Sequence, residues 1–256
     1  MRLDIYLATH HGITRNKAQQ LITTDLVLVN GRICNKASFH ISDTRIVSIV
    51  ADRRVEWVSR SAEKLAGFVE QILVKNWLLS RGIYTLQISG TNCLDVGSST
   101  GGFSQVLLQY GASHIDAVDV GTDQLHPSLR SDHRVSSYEQ TDIRDFARIK
   151  HKPYDIIVCD ASFISLTLII DAMMALSNSE TKMILLYKPQ FEVGRIHLKK
   201  TGVPKNLQIV ESKMKEFEDL LWEKQVYIMK KEKSSLVGEA GNQEWIYMLQ
   251  KNPQAI

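Results

Sequence analysis

The chain places a glycine-rich turn, Cys93-Leu94-Asp95-Val96-Gly97-Ser98-Ser99-Thr100-Gly101-Gly102-Phe103, between an apolar run and a segment of helical spacing. Backbone amides in such a turn approach an anionic ligand group closely, because glycine accepts positive φ and carries no side chain. It is not a dinucleotide fingerprint, which needs G-x-G-x-x-G. Nor is it a P-loop, which needs Gly-Lys-Ser/Thr where this chain has Gly102-Phe103. The next apolar run leads to Asp119, a carboxylate suited to accept hydrogen bonds from ribose hydroxyls, or else simply solvated at a strand end. Gly97-Ser98-Ser99-Thr100-Gly101 also satisfies the G-x-S-x-G nucleophile elbow, with Asp160 and His197 in the order of a Ser-Asp-His hydrolase. Against a hydrolase, the elbow follows no earlier strands of its own sheet, no H-G-G-G loop lies upstream, and no histidine follows the final strand. Four more polar residues recur in distinctive settings: Lys64 in S-R-S-A-E-K-L, Asp160 in D-A-S-F-I-S-L, Lys188 in K-P-Q-F-E-V-G and Glu244 in G-N-Q-E. Asp160 and Lys188 end successive apolar runs, on the side where open α/β sheets bind ligands.

Positioning these residues takes alternating strands and helices. Residues 92–96, 114–120, 154–159 and 182–187 are short apolar runs with helical lengths between them, the pattern of a largely parallel sheet covered on both faces. Residues 225–231 and 244–249 follow without an intervening helix, which predicts an antiparallel pair at the sheet edge. A helix beginning near Ser61, with Leu65, Phe68, Val69 and Ile72 on one face, precedes the first strand. The most apolar stretch, 156–176, contains Asp160 and Asp171 and is therefore read as a buried strand and helix rather than a membrane span.

Upstream, Leu3, Ile5, Tyr6 and Leu7 space a first helix. Thr14 caps a second over 14–24, with Ala18, Leu21 and Ile22 on one face. Leu26-Val27-Leu28-Val29 then meets Asn30-Gly31, a hairpin signal. The expected division is a small α+β module over 1–50, a linker over 51–58 and an α/β domain over 59–256. With 256 residues, 44% of them hydrophobic, a packed core is feasible and disorder is excluded. Residues 1–60 carry nine Lys/Arg against five Asp/Glu, whereas the remainder is near neutral. That asymmetry suits a polyanion partner, although a merely soluble basic face has the same composition. Cys34, Cys93 and Cys159 form no C-x-x-C pair, so no disulfide framework or metal site is expected, and a cytoplasmic setting fits.

The N-terminal pattern resembles the S4 RNA-binding module in Arg2-Leu3-Asp4, Thr14-Arg15 and Val27-Leu28-Val29-Asn30-Gly31, with Thr14 where Ser is usual and Asp25 where Gly is usual. This implies that Arg2, Arg15, Lys17 and Arg32 face RNA phosphates. The acidic residue followed by G-x-x-x-G-G-F resembles the S-adenosylmethionine (SAM) turn of methyltransferases. It implies cofactor contacts from Asp95, Gly97, Ser98, Ser99, Thr100, Gly101, Gly102 and Phe103, with Asp119 on the ribose. The four motifs around Lys64, Asp160, Lys188 and Glu244, behind an S4 module, resemble the TlyA (hemolysin A) family of ribosomal RNA 2′-O-methyltransferases, with Ala161 where Val is common. By that resemblance the four residues are a catalytic tetrad, Asp142 contacts the SAM adenine and Asp160 also borders the cofactor. The implied fold is a Rossmann-like, FtsJ-like methyltransferase domain with a mostly parallel seven-stranded sheet and an antiparallel edge hairpin. The implied partner is ribosomal RNA or a ribosomal subunit, modified at a cytidine of the large-subunit RNA and in some members also of the small; the protein is expected to be a monomer.

A ribose hydroxyl is a weak acid, and a lysine at its free pKa of about 10.4 is a poor proton acceptor. A second ammonium or desolvation lowers that value. Lys188 is therefore expected to accept the proton or stabilise the developing alkoxide, with Asp160 orienting it and Lys64 and Glu244 tuning the site. Gly97 is expected to leave room for the methionine end of the cofactor. The rival classes are a membrane-active hemolysin and a non-catalytic RNA-binding protein; no span of membrane length is present to support the first.

Overall fold

The computed structural model describes residues 1–11, 13–23, 26–29, 32–41, 47–49, 57–78 and 86–252. The N-terminal apolar spacings fold as α1 (Leu3–His10) and α2 (Arg15–Thr23). They precede β1 (Val27–Val29), β2 (Arg32–Ile33) and β3 (Val47–Ile49), an antiparallel sheet of order β2-β1-β3. Thr14 caps α2, its Oγ accepting from the Lys17 amide at 3.2 Å. Val29 pairs with Arg32, the register of a two-residue turn; that turn, Asn30-Gly31, lies outside the described residues, as do Asp25 and the side chain of Arg32. Leu3, Leu7, Ala18, Ile22 and Val27 are fully buried together, whereas Ile5 turns outward. Asp4 is buried beneath them and accepts from Arg2 Nε (3.0 Å), Arg15 Nε (2.9 Å) and Gln19 Nε2 (3.1 Å). A buried carboxylate needs such partners, and hydrogen bonding from Arg2, with Gln19 and Arg15, holds it far below the usual carboxylate range.

The rest of the chain runs α3 (Arg60–Leu78), β4 (Asn92–Val96), α4 (Gly102–Gln109), β5 (His114–Val118), α5 (Pro127–Arg130), β6 (Val135–Tyr138) and α6 (Ile143–Ile149). It continues through β7 (Ile156–Cys159), α7 (Ile170–Ala175), β8 (Lys182–Tyr187), α8 (Pro189–Glu192), α9 (Leu207–Glu223), β9 (Val226–Lys233) and β10 (Trp245–Lys251). The expected linker lies outside the described residues as far as position 56; Trp57 already packs on the core and the Val58 amide donates to Gln105 Oε1 at 2.8 Å. The sheet has seven strands in the order β6-β5-β4-β7-β8-β10-β9. β4 pairs in parallel with β5 and β7, β5 with β6 and β7 with β8, while β10 is antiparallel to both β8 and β9. The parallel sheet with an antiparallel edge hairpin is the architecture that the sequence predicts.

Alternation along the strands fills two cores. Met183, Leu185 and Tyr187 of β8 face α9 with Phe217 and Tyr247, whereas Ile184 and Leu186 face α3 with Leu65, Phe68 and Val69. Each such side chain contributes about 1.5 to 3 kcal/mol when fully buried. Chain crossovers leave β4 in opposite directions, to β5 on one side and, later, to β7 on the other. This opens a crevice beyond the carboxyl ends of the strands.

Candidate active site

The turn after β4 lies in that crevice. Gly97 has φ +74°, and a Cβ there would stand 2.8 Å from Ala161 Cα and 3.0 Å from Ala161 N. The missing side chain is therefore required by the backbone after β7, and Gly97 also borders both cavities at this site. Gly101 and Gly102 line neither cavity at this site; a Cβ would strike Leu125 and Leu129 from the first and Ser59 and Ser61 from the second. They bring α4 close to its neighbours instead. Asp119, just past β5, accepts from the Ser99 amide at 2.8 Å and the Gly121 amide at 2.7 Å, which fixes the turn and leaves carboxylate lone pairs unused.

Two cavities share a wall formed by Gly97, Ser99, Asp160, Ser162 and Phe163. The smaller, about 360 Å³, is lined by Asp119, Val120, Gln124, Asp142, Ile143 and Ile169. This mixture of apolar surface and carboxylates, Asp119 and Asp142 with Asp160 in the shared wall, suits an adenosine group. Asp142 also caps α6 and is gripped by Arg144, which holds its carboxyl below the usual range. The larger, about 1000 Å³, collects Lys64, Asp95, Ser98, Thr100, Phe103, Asp160, Lys188 and Glu244.

Helix α3 and the start of β10 bring the first charged pair together. Lys64 Nζ donates to Glu244 Oε2 at 2.6 Å, with side chains only 10% and 3% exposed. Glu244 is further held by Gln190 Nε2 at 3.4 Å, and a Cβ on Gly238 would come within 2.7 Å of its Oε1. The second pair sits at the ends of β7 and β8. Lys188 Nζ lies 2.8 Å from Asp160 Oδ1 and donates to Asp160 O at 3.0 Å and Ser162 Oγ at 2.7 Å. Asp160 Oδ1 accepts no hydrogen bond and faces the ammonium as a counter-charge. Glu192 of α8 ties the two loops together, accepting from the Leu166 amide at 2.9 Å and from Ser165; burial pushes its carboxyl up.

Asp95 is fully buried, its Oδ2 accepting from the amide (2.9 Å) and hydroxyl (2.7 Å) of Ser104 at the start of α4. Its Oδ1 has no partner. Burial, reinforced by Asp160 and Asp119, pushes its carboxyl up to about 7. An orphaned buried oxygen at a cavity wall fits a cationic amine such as the ammonium of a methionine moiety.

Each of Lys64, Asp95, Gly97, Ser98, Ser99, Thr100, Phe103, Asp119, Asp142, Asp160, Lys188 and Glu244 thus borders one cavity or the other. Sequence reasoning missed Ser162, although it sits in the same D-x-S motif as Asp160. It also missed Phe163, which is 91% exposed at φ +65° and tilted against Phe191 with centroids 5.1 Å apart. His197 lines neither cavity, so the Ser-Asp-His arrangement of a hydrolase is not assembled. Among the described residues there is no cluster able to hold a metal, and no helix is long and apolar enough to cross a membrane.

The family model described as FtsJ-like methyltransferase matches residues 57–251, and the model described as S4 domain matches 1–47. A 23S rRNA (cytidine-2′-O)-methyltransferase TlyA from Campylobacter jejuni is 37% identical over 98% of this chain and 100% of its own length. A 16S/23S rRNA (cytidine-2′-O)-methyltransferase TlyA from Mycobacterium tuberculosis is 34% identical over 97% of this chain and 89% of its own. The solved structure of a candidate hemolysin from Lactococcus lactis superimposes with a TM-score of 0.69 at 32% identity, covering 79% of this chain and 92% of the other. The architecture of the sheet, the two matched domains and the length of these matches make the chain a member of the TlyA (hemolysin A) family, FtsJ-like methyltransferases that carry an N-terminal S4 domain.

Proposed function

We propose that the protein methylates a cytidine ribose 2′-hydroxyl in ribosomal RNA, with SAM as the methyl donor. The observation that carries this reading is the Lys188 ammonium, held by Asp160 and Ser162 at the wall between a cavity of adenosine character and the open cavity that also holds Lys64 and Glu244. Bound SAM supplies a methyl on a sulfonium that leaves as a neutral thioether. The residues supply position and charge. The orphaned Oδ1 of Asp95 accepts from the methionine ammonium, and Asp119 accepts from the ribose hydroxyls. A 2′-hydroxyl entering beside Ser162 meets Lys188 Nζ; as the oxygen attacks the methyl its proton passes to Lys188 as the free amine, or to water in the open cavity while the Lys188 ammonium stabilises the developing alkoxide. Lys188 Nζ donates to Asp160 O and Ser162 Oγ, which leaves one position on the nitrogen to meet the substrate oxygen or its proton, with Asp160 Oδ1 alongside as counter-charge. The Lys64–Glu244 pair holds a second buried ammonium beside the same cavity.

RNA recognition is assigned to the N-terminal module. Asp4 orients Arg2 and Arg15 while their side chains remain 40% and 54% exposed, and Lys17 is exposed on the first turn of α2. The residue ranges of the two domain models support a division into an RNA-binding unit and a catalytic unit. The choice of ribosomal RNA and of cytidine rests on the names of the relatives. Alkaline hydrolysis mapping of ribosomal RNA, with and without the protein, tests it. A hydrolysis-resistant cytidine position that appears only with the protein is expected; identical ladders refute the reading. Protection in the large-subunit RNA alone or in both RNAs decides the number of targets.

A further inference from the structure

Between Glu192 and Glu211 the chain carries Arg195, His197, Lys199, Lys200 and Lys205 and no carboxylate. The segment is firmly built. The Lys199 amide donates to Val203 O at 2.8 Å, the Gly202 amide to Lys199 O at 2.9 Å and the Lys205 amide to His197 O at 2.8 Å, around an antiparallel bridge between Leu198 and Pro204. Lys205 Nζ closes on Ile196 O at 2.9 Å, and Asn242 Nδ2 ties Gly202 O, at 3.3 Å, to the loop that carries Glu244. The result is a short hairpin fixed to the site, with Arg195, Leu198 and Gly202 lining the same cavity as Lys188.

Its other cations are unpaired. Arg195, Lys199 and Lys200 are exposed and form no ion pair among the described residues, whereas lysines on the neighbouring α9 do: Lys213 with Glu216 at 2.6 Å and Lys215 with Asp219 at 3.1 Å. Like charges gathered on a rigid turn repel one another, and a polyanion relieves that repulsion. Glu239, exposed on the same cavity, would repel a phosphate and so favours the hairpin side for the strand.

We infer that the hairpin over 195–205 is a second phosphate clamp, on the catalytic domain itself, which grips the RNA backbone beside the nucleotide that enters the cavity. This rests on the RNA reading of the preceding section. A nucleotide can reach Lys188 only if its flanking phosphates pass over the cavity rim, and the hairpin supplies fixed positive charge there. Each phosphate contact releases counterions, adding about 0.7 to 0.9 to the slope of log affinity against log salt concentration.

The test is steady-state methylation of ribosomal RNA by the full chain across a salt series. With Lys199→Ala combined with Lys200→Ala, the KM for RNA is expected to rise about tenfold near 0.1 M salt and the salt slope to become shallower by about 1.5. SAM affinity and kcat at saturating RNA should match wild type, and adding Arg195→Ala should extend the loss. Lys213→Ala with Lys215→Ala, which removes as much charge from paired positions, should change little. An unchanged KM and slope in the hairpin variant, while the wild-type protein methylates RNA, overturns the clamp alone. A wild-type protein that neither binds nor methylates RNA overturns the clamp and the proposed function together.

Discussion

Removing the carboxylate of Glu244 is expected to unsettle the catalytic domain before it says anything about chemistry. The Lys64 ammonium is only 10% exposed, and its carboxylate partner is Glu244 at 2.6 Å. Glu244→Ala leaves that charge buried beside a cavity with no carboxylate to meet it. Breaking a buried pair from one side costs about 3 to 5 kcal/mol. In a domain of this size each kcal/mol moves the melting midpoint by about 2 to 4 °C, so a fall of roughly 6 to 20 °C is expected. Lys64→Met together with Glu244→Leu removes both charges and should recover most of the loss, because the desolvation cost disappears with the pair. Thermal melts of the two single alanine variants and the double alanine variant give the coupling directly, with about 3 kcal/mol expected. Additive losses, with coupling near zero, refute the argument that the two side chains form one buried unit. If the melting midpoint recovers in the Met/Leu variant but methyl transfer does not, the pair serves the reaction as well as the fold.

Three further outcomes follow from the same geometry. Gly97→Ala should lower the ligand-free melting midpoint, since a left-handed non-glycine residue costs about 1 to 2 kcal/mol and its Cβ would press on Ala161; an unchanged midpoint contradicts the close approach. Asp119→Ala should weaken SAM binding by about 1 to 3 kcal/mol in calorimetry through lost ribose hydrogen bonds, and equal affinity removes that assignment. The raised carboxyl of Asp95 contributes stability that is fully present below its unfolded value of about 3.9 and is lost as pH rises to about 7. Asp95→Asn should therefore flatten the decline in ligand-free stability across that window; the same decline in wild type and variant removes the cause assigned to it.

Periodicity carried the architecture well where strands are buried on both faces, because β7 and, after Lys182, β8 then read as unbroken apolar runs, while β4 is interrupted only by the buried Asp95. β6 escaped because Val135-Ser136-Ser137-Tyr138 is an edge strand that is only partly buried and has no such run. The candidate site was legible as residues but not as pairs. Lys64 and Glu244 are far apart in sequence and meet only because α3 packs on the face opposite α9 while β10 inserts beside β8. The orphaned oxygen of Asp95 and the positive φ of Phe163 leave no trace in composition or spacing. The free charges of the 195–205 hairpin are visible in the sequence only as basic residues; their lack of partners is a property of the fold.

Lys188→Ala tests the reaction most directly, through single-turnover transfer of a tritiated methyl group from SAM into ribosomal RNA, which isolates chemistry from product release. The substitution removes the ammonium that faces Asp160 and Ser162. SAM and RNA affinities should stay near wild type, because the interaction strengthens mainly as charge develops on the attacking oxygen. The transfer rate is expected to fall by about 100- to 1000-fold, the size of effect seen when one preorganised donor to a developing oxyanion is lost. Transfer at a near-wild-type rate by a folded Lys188→Ala protein would contradict the assignment of this site.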